Sequence, residues 1–238
     1  MKRIEDLSIE IYADCADPVQ GVQLAKNPLV KGFTTNPTLM RKAGIVDYEK
    51  FARAMLDEAG ERRPVSFEVF ADDWASMIRE GKRIATWGEN AVVKVPITDT
   101  RGIFCGPVIG ELSAHVTVNI TGIFTHDQLV AAKEALDPAA IAIFSVFAGR
   151  IADTGRDPVP IMEACRRELF NNEQLLLLWA SPREVLNIFQ ADEAHCDIIT
   201  CTPDLIAKLP LVGKNLDEYS LETVRMFNRD ALAAGFSL

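Results

Sequence analysis

Residues 91–97 read Ala91-Val92-Val93-Lys94-Val95-Pro96-Ile97. Valines on both faces of an extended chain mark a strand covered on both sides, as in a parallel sheet. Seven further short apolar runs accompany it, at Ile9–Ala13, Gly32–Thr34, Val65–Val69, His115–Val118, Ala140–Phe144, Leu175–Trp179 and Ile198–Thr200, with helical stretches between them. Asp17-Pro18, Asn36-Pro37, Ser181-Pro182 and Thr202-Pro203 each place an N-cap residue before a proline that can open a helix. Asp17 with Gln20, Thr125 with Gln128 and Ser181 with Glu184 also have capping-box spacing. Eight strand–helix units in 238 residues average about 30 residues each, the size of one step of a TIM barrel. Open doubly wound sheets more usually have about six strands. The expected fold is therefore α/β, a single (β/α)8 barrel domain over residues 1–238 with a C-terminal helix. In that helix Leu221, Val224, Phe227 and Leu232 share one face, expected to pack on the chain's own barrel, with a subunit contact as the alternative.

Composition narrows the function. Lys and Arg number 25 against 34 Asp and Glu, a formal charge of −9, which disfavours nucleic acid and anionic membranes as partners. The apolar runs fall far short of the ~20 residues of a membrane span, and acidic residues occupy the place of a signal peptide's apolar region. A cytoplasmic chain is expected. Its five cysteines lack a CxxC pair and its three histidines lack metal-ligand spacing, so neither disulfides nor a metal is anticipated. Phosphate-binding glycine loops and the GxSxG elbow are absent too, and no organic cofactor is expected.

Barrel chemistry sits at the C-terminal ends of strands. Lys94 interrupts its strand on the face shared by Val92 and Pro96. Burying an ammonium costs several kcal/mol unless it is paired, and desolvation favours the free amine, a nucleophile suited to Schiff-base chemistry. The plainer reading is a lysine at the rim that reaches water. Asp14 ends the first run and Glu68 interrupts the third. Carboxylates that share a lumen with a lysine can divide acid and base work, although an Asx turn and a barrel ion pair would explain them separately. Ser181-Pro182-Arg183 and Arg150 offer N–H groups and guanidinium groups to an anion, or simply a helix cap and surface charge.

In order, the segments IYADCAD, GFTTNPTL, VSFEV, AVVKVPIT, VNIT, FSVFAGRIAD and WASPR resemble the transaldolase family, including its short fructose-6-phosphate aldolase-like branch. The resemblance runs from about Ile11 to Thr202. It implies a Schiff-base lysine at Lys94 and a proton-accepting carboxylate at Asp14. Asn36 and Asn119 match amides that hold substrate hydroxyls and the carbinolamine, and Glu68 with Thr121 the pair that positions the catalytic water. Ser145 and Arg150 match a hydroxyl-binding serine and a phosphate-binding arginine, with Ser181 and Arg183 as further ligands, although WASPR lacks residues that often follow the serine. Glu68 and Phe147 look transaldolase-like, since the aldolase branch carries Gln and often Tyr there. The resemblance thus implies transfer of a dihydroxyacetone unit between sugar phosphates by a homo-oligomer. The alternatives are an aldolase that releases dihydroxyacetone and a non-catalytic binding protein on the same barrel.

Overall fold

In the computed structural model, which describes residues 2–236, eight parallel strands close into a barrel in chain order. They are β1 Glu10–Asp14, β2 Val30–Thr34, β3 Val65–Glu68, β4 Ala91–Pro96, β5 Val118–Ile123, β6 Ala142–Val146, β7 Leu175–Trp179 and β8 Ile198–Cys201. The seam is β1 on β8, in register from Glu10 opposite Ile198 to Ala13 opposite Cys201. Helices follow the strands: α1 Pro18–Ala25, α2 Pro37–Lys42, α3 Tyr48–Ala59, α4 Trp74–Ala85, α5 Gly106–Ser113 and α6 His126–Glu134. Then come α7 Ala148–Asp153, α8 Val159–Leu169, α9 Leu186–Glu193, α10 Pro203–Ile206 and α11 Leu216–Ala233.

The alternation in 91–97 separates two cores. Val93 and Val95 join Phe33, Phe67, Phe144 and Trp179 in the layer beneath the helices, whereas Val92 lies in the lumen with Tyr12, Ile143, Leu178 and Ile198. Gly32 makes room for the lumen's aromatic ring, since a Cβ there would stand 2.6 Å from Tyr12. The lumen below the strand ends is thus packed, leaving the C-terminal mouth for polar groups.

Two strands run further than their apolar runs suggest. The expected His115–Val118 supplies only the first residue of β5, and Ala140–Phe144 gives way to Ala142–Val146. Polar Asn119, Thr121 and Ser145 continue these strands, because positions that face the mouth need not be apolar. Asp17 and Asn36 cap α1 and α2 by accepting from Gln20 N and Leu39 N, and Thr125 with Gln128 closes a reciprocal box on α6.

Ser181 is a correction: it starts no helix. Its φ is +59°, and α9 begins only at Leu186. The cause is a close backbone approach, for a Cβ on Gly149 would fall 1.5 Å from Ser181 O. Gly149 N donates to Ala180 O and ties this loop to α7, while Asn187 Oδ1, on α9, accepts from Arg183 N and Glu184 N.

The C-terminal helix is a second correction. No residue of α11 is buried, and Val224, Phe227 and Leu232 are 59%, 63% and 70% exposed. Its own barrel does not cover the apolar face. The helix is held at its start, where Asn215 accepts from Asp217 N and Glu218 N and Lys214 pairs with Glu222.

Candidate active site

A cavity of about 520 Å³ opens at the C-terminal mouth of the barrel. Asp14, Asn36, Glu68, Lys94, Thr121, Ser145, Arg150, Ser181 and Arg183 all line it. Asn119, the remaining site residue expected from the sequence, is fully buried in the register position beside Lys94. Residues from seven strand ends and loops, separated by up to 169 positions from Asp14 to Arg183, thus meet at one opening.

Lys94 is 6% exposed. Its Nζ donates to Thr35 O at 2.9 Å and lies 3.7 Å from Glu68 Oε2, a separation longer than a direct hydrogen bond. The strand register sets this, with Glu68 directly opposite Lys94 and Lys94 opposite Asn119. Amine and carboxylate are therefore near neighbours, with the amine anchored on a carbonyl.

Asp14 accepts from Thr34 Oγ1 at 2.9 Å and from Asn36 Nδ2 at 3.2 Å. Thr34 Oγ1 also lies 2.6 Å from Thr200 Oγ1, so two hydroxyls stand in line behind the carboxylate. Burial pushes the Asp14 carboxyl above the usual carboxylate range, and the Lys94 charge and the two hydrogen bonds offset only part of that. Asn36 has two tasks. Its Oδ1 caps α2 while its Nδ2 reaches Asp14.

Asn119 is engaged at both ends, donating to Ser66 Oγ at 3.1 Å and accepting from Ser145 Oγ at 2.7 Å. At the rim, the Arg150 guanidinium lies 5.0 Å from the Phe147 ring centroid and makes no salt bridge among the described residues. Arg183 differs, since Asp153 holds its guanidinium by two hydrogen bonds. The sequence reasoning missed Ser66, Thr34 and Thr200. Their signal was parity, because Ser66 precedes Glu68 and Thr34 precedes Asn36 by two residues.

One amine, two carboxylates of different environment, several hydroxyl and amide groups and a free guanidinium surround a single cavity. Among the described residues, no three His, Cys, Asp or Glu side chains cluster as metal ligands, and no helix is long and apolar enough to cross a membrane.

The family model described as transaldolase/fructose-6-phosphate aldolase matches residues 11–238. A relative from Caulobacter sp. strain K31, named "Probable transaldolase", is 32% identical over 222 residues, covering 89% of this chain and 94% of its own. Another of the same name from Nitrosopumilus maritimus is 29% identical over 231 residues, covering 93% and 99%. Among solved structures, a dihydrodipicolinate synthase family protein from Coccidioides immitis superposes with a TM-score of 0.64 at 11% identity, covering 98% of this chain and 80% of the other. That likeness concerns the fold alone.

Proposed function

Since the chain belongs to the transaldolase/fructose-6-phosphate aldolase family, we propose that it transfers a dihydroxyacetone unit between sugar phosphates through a Schiff base on Lys94. The observation that carries the reading is the nearly buried Lys94 amine, 3.7 Å from one carboxylate and in the same cavity as a second. Lys94 Nζ adds to the C2 carbonyl of a ketose phosphate, and loss of water gives an iminium. Asp14 accepts the proton of the C4 hydroxyl. The C3–C4 electron pair then moves into the iminium, leaving an enamine and releasing an aldose phosphate. A carboxyl held above its usual range is suited to that proton transfer. The enamine attacks the aldehyde carbon of an acceptor aldose phosphate, Asp14 returns its proton to the new C4 hydroxyl, and water hydrolyses the iminium to a new ketose phosphate and the free amine.

Glu68 and Thr121 are assigned the water, Asn36 and Asn119 the substrate hydroxyls and the carbinolamine, and Ser145 a further hydroxyl. Arg150 takes the phosphate, with Ser181 and Arg183 beside it. All of this is assigned to one domain, working in the cytoplasm without metal or organic cofactor.

The test is turnover of fructose 6-phosphate with and without erythrose 4-phosphate, followed by borohydride reduction and peptide mapping. We expect turnover that depends on the acceptor and a reduced adduct on Lys94, with Lys94→Ala folded and inactive. Full turnover without acceptor would assign the chain to the aldolase reaction, and an adduct on a different lysine would end the Lys94 assignment.

The assembly is proposed to be a homo-oligomer in which a second copy covers the bare apolar face of α11. Large apolar side chains of that helix, among them Leu221, Val224, Phe227 and Leu232, stand exposed, and burying each would contribute about 1.5–3 kcal/mol. Deleting residues 216–238 should reduce the number of subunits per particle in solution; an unchanged subunit number would remove α11 from the interface.

A further inference from the structure

We infer that Tyr48 is a positioning residue for this reaction, its hydroxyl holding the end of β3, and with it Glu68, in place beside the Lys94 amine. The inference rests on the roles proposed above for Lys94 and Glu68.

The need for such a residue follows from the ladder. Phe33 N donates to Pro64 O and Thr35 N to Ser66 O, at 2.8 and 3.1 Å. Parallel strands repeat this bond every second residue, so the next donor, to Glu68 O, would come from position 37. That residue is Pro37, which has no N–H and already opens α2. The carbonyl of Glu68 therefore loses its main-chain donor from β2 at the point where the active site begins. Tyr48 OH supplies one, donating to Glu68 O at 3.0 Å.

The hydroxyl is delivered by a fixed ring. Asp47 caps α3 by accepting from Lys50 N, and Tyr48 is the helix's first residue. Its ring lies 4.6 Å from Phe70, 5.1 Å from Trp87 and 6.2 Å from Phe67 between centroids, the last two edge-on. Burial raises the Tyr48 hydroxyl well above its ordinary value, which keeps it a protonated donor.

Tyr48 acts from outside the catalytic cavity. It lines a separate space of about 450 Å³ between the barrel and helices α3 and α4, whereas Glu68 lines both spaces. An effect on a substrate in the mouth therefore passes through the backbone that carries Glu68 and through Thr35, whose hydroxyl also bears on that of Tyr48. The 3.7 Å separation of Lys94 and Glu68 depends on two main-chain points, Thr35 O for the amine and the end of β3 for the carboxylate. The second is the point that Tyr48 holds.

Tyr48→Phe keeps the ring and removes the hydrogen bond. We expect kcat, and the rate at which fructose 6-phosphate forms a borohydride-trappable Lys94 adduct, to fall about tenfold, a fraction of the ~10²–10⁴ a full acid–base group contributes. The KM for fructose 6-phosphate should stay within about twofold, because phosphate binding lies at the opposite rim. Phe70→Leu, which disturbs the aromatic contact but keeps the hydroxyl, should trap at close to the wild-type rate. Wild-type trapping in Tyr48→Phe overturns the inference, as does a loss that raises KM or follows lost thermal stability equally in both variants. If the wild-type protein itself traps no adduct, the Schiff-base reading falls and this inference with it.

Discussion

Two aspartates at opposite ends of the barrel, Asp192 buried and Asp14 half-buried, respond to desolvation in opposite ways. Asp192, on α9, accepts from Ser8 N at 2.8 Å, Ile9 N at 3.2 Å and Lys2 Nζ at 2.8 Å, just ahead of β1. Burial pushes its carboxyl up, but the hydrogen bonds from Lys2, Ser8 and Ile9 outweigh that and hold it below the usual carboxylate range. Asp14, at the other end of β1, has one hydroxyl and one side-chain amide as donors and makes no salt bridge among the described residues. Burial wins there, and its carboxyl stands above the usual range. The difference separates a structural tie from the group proposed to accept the proton. A carboxylate saturated with donors has no use for a proton, whereas one left short of them is ready to accept it.

Asparagine at each position tests the contrast hardest. Asp14→Asn should lower kcat at least about 10²-fold, since the amide cannot take the C4 proton, while the thermal midpoint stays level or rises because no charge is buried. Asp192→Asn should do the reverse, leaving kcat within about twofold and costing roughly 1–3 kcal/mol through weakened charge-assisted hydrogen bonds. The pH dependence has a definite sign. Asp192 has a folded-state value below its unfolded one, so its contribution is present above the unfolded carboxylate value of about 3.9 and is lost as pH falls through the folded value. Asp192→Asn should therefore flatten the acid limb of the stability curve. Asp14, raised in the folded state, costs stability as pH rises through its folded value, so the advantage of Asp14→Asn should grow in that direction. Stability loss in Asp14→Asn with activity loss in Asp192→Asn would break the comparison.

What the sequence revealed follows the same physics. Lys94, Asp14 and Glu68 could be found because each places a charge in or at the end of an apolar strand, a cost that calls for a reason. Ser66, Thr34 and Thr200 carry no such cost. Hydroxyl residues suit strands anywhere, so only the lumen-facing parity, known once the barrel is closed, brings them forward. Tyr48 needed more, because its role depends on Pro37 removing a ladder donor 11 positions away. The helix expected at Ser181 failed for a long-range reason, the backbone approach of Gly149, that no local capping rule contains. The face of α11 was legible as amphipathic, but periodicity says only that a face wants covering, not which surface covers it.

The two rim arginines repeat the contrast at smaller scale. Arg150 is exposed, rests on Phe147 and has no salt-bridge partner among the described residues. Arg183 shares its guanidinium with Asp153, and that pairing holds the Asp153 carboxyl below its usual range. In the proposed role, a phosphate would meet a less compensated charge at Arg150, which acts on Asp153 only at a distance, than at Arg183, which Asp153 holds directly. Arg150→Ala should raise the KM for fructose 6-phosphate about 10–100-fold, the equivalent of one charge-assisted contact of roughly 1.5–3 kcal/mol. The KM for unphosphorylated dihydroxyacetone should hardly change, and the Arg150 effect should shrink as salt screens it. Arg183→Ala should cost only about threefold, since an exposed pair contributes roughly 0–1 kcal/mol. Asp153→Asn sharpens the point by freeing Arg183 for the phosphate, which should lower the KM for fructose 6-phosphate below that of the wild type. If Arg183→Ala instead matches Arg150→Ala, the pair with Asp153 opens when substrate arrives. Saturation in the free protein would then no longer distinguish structural charges from working ones.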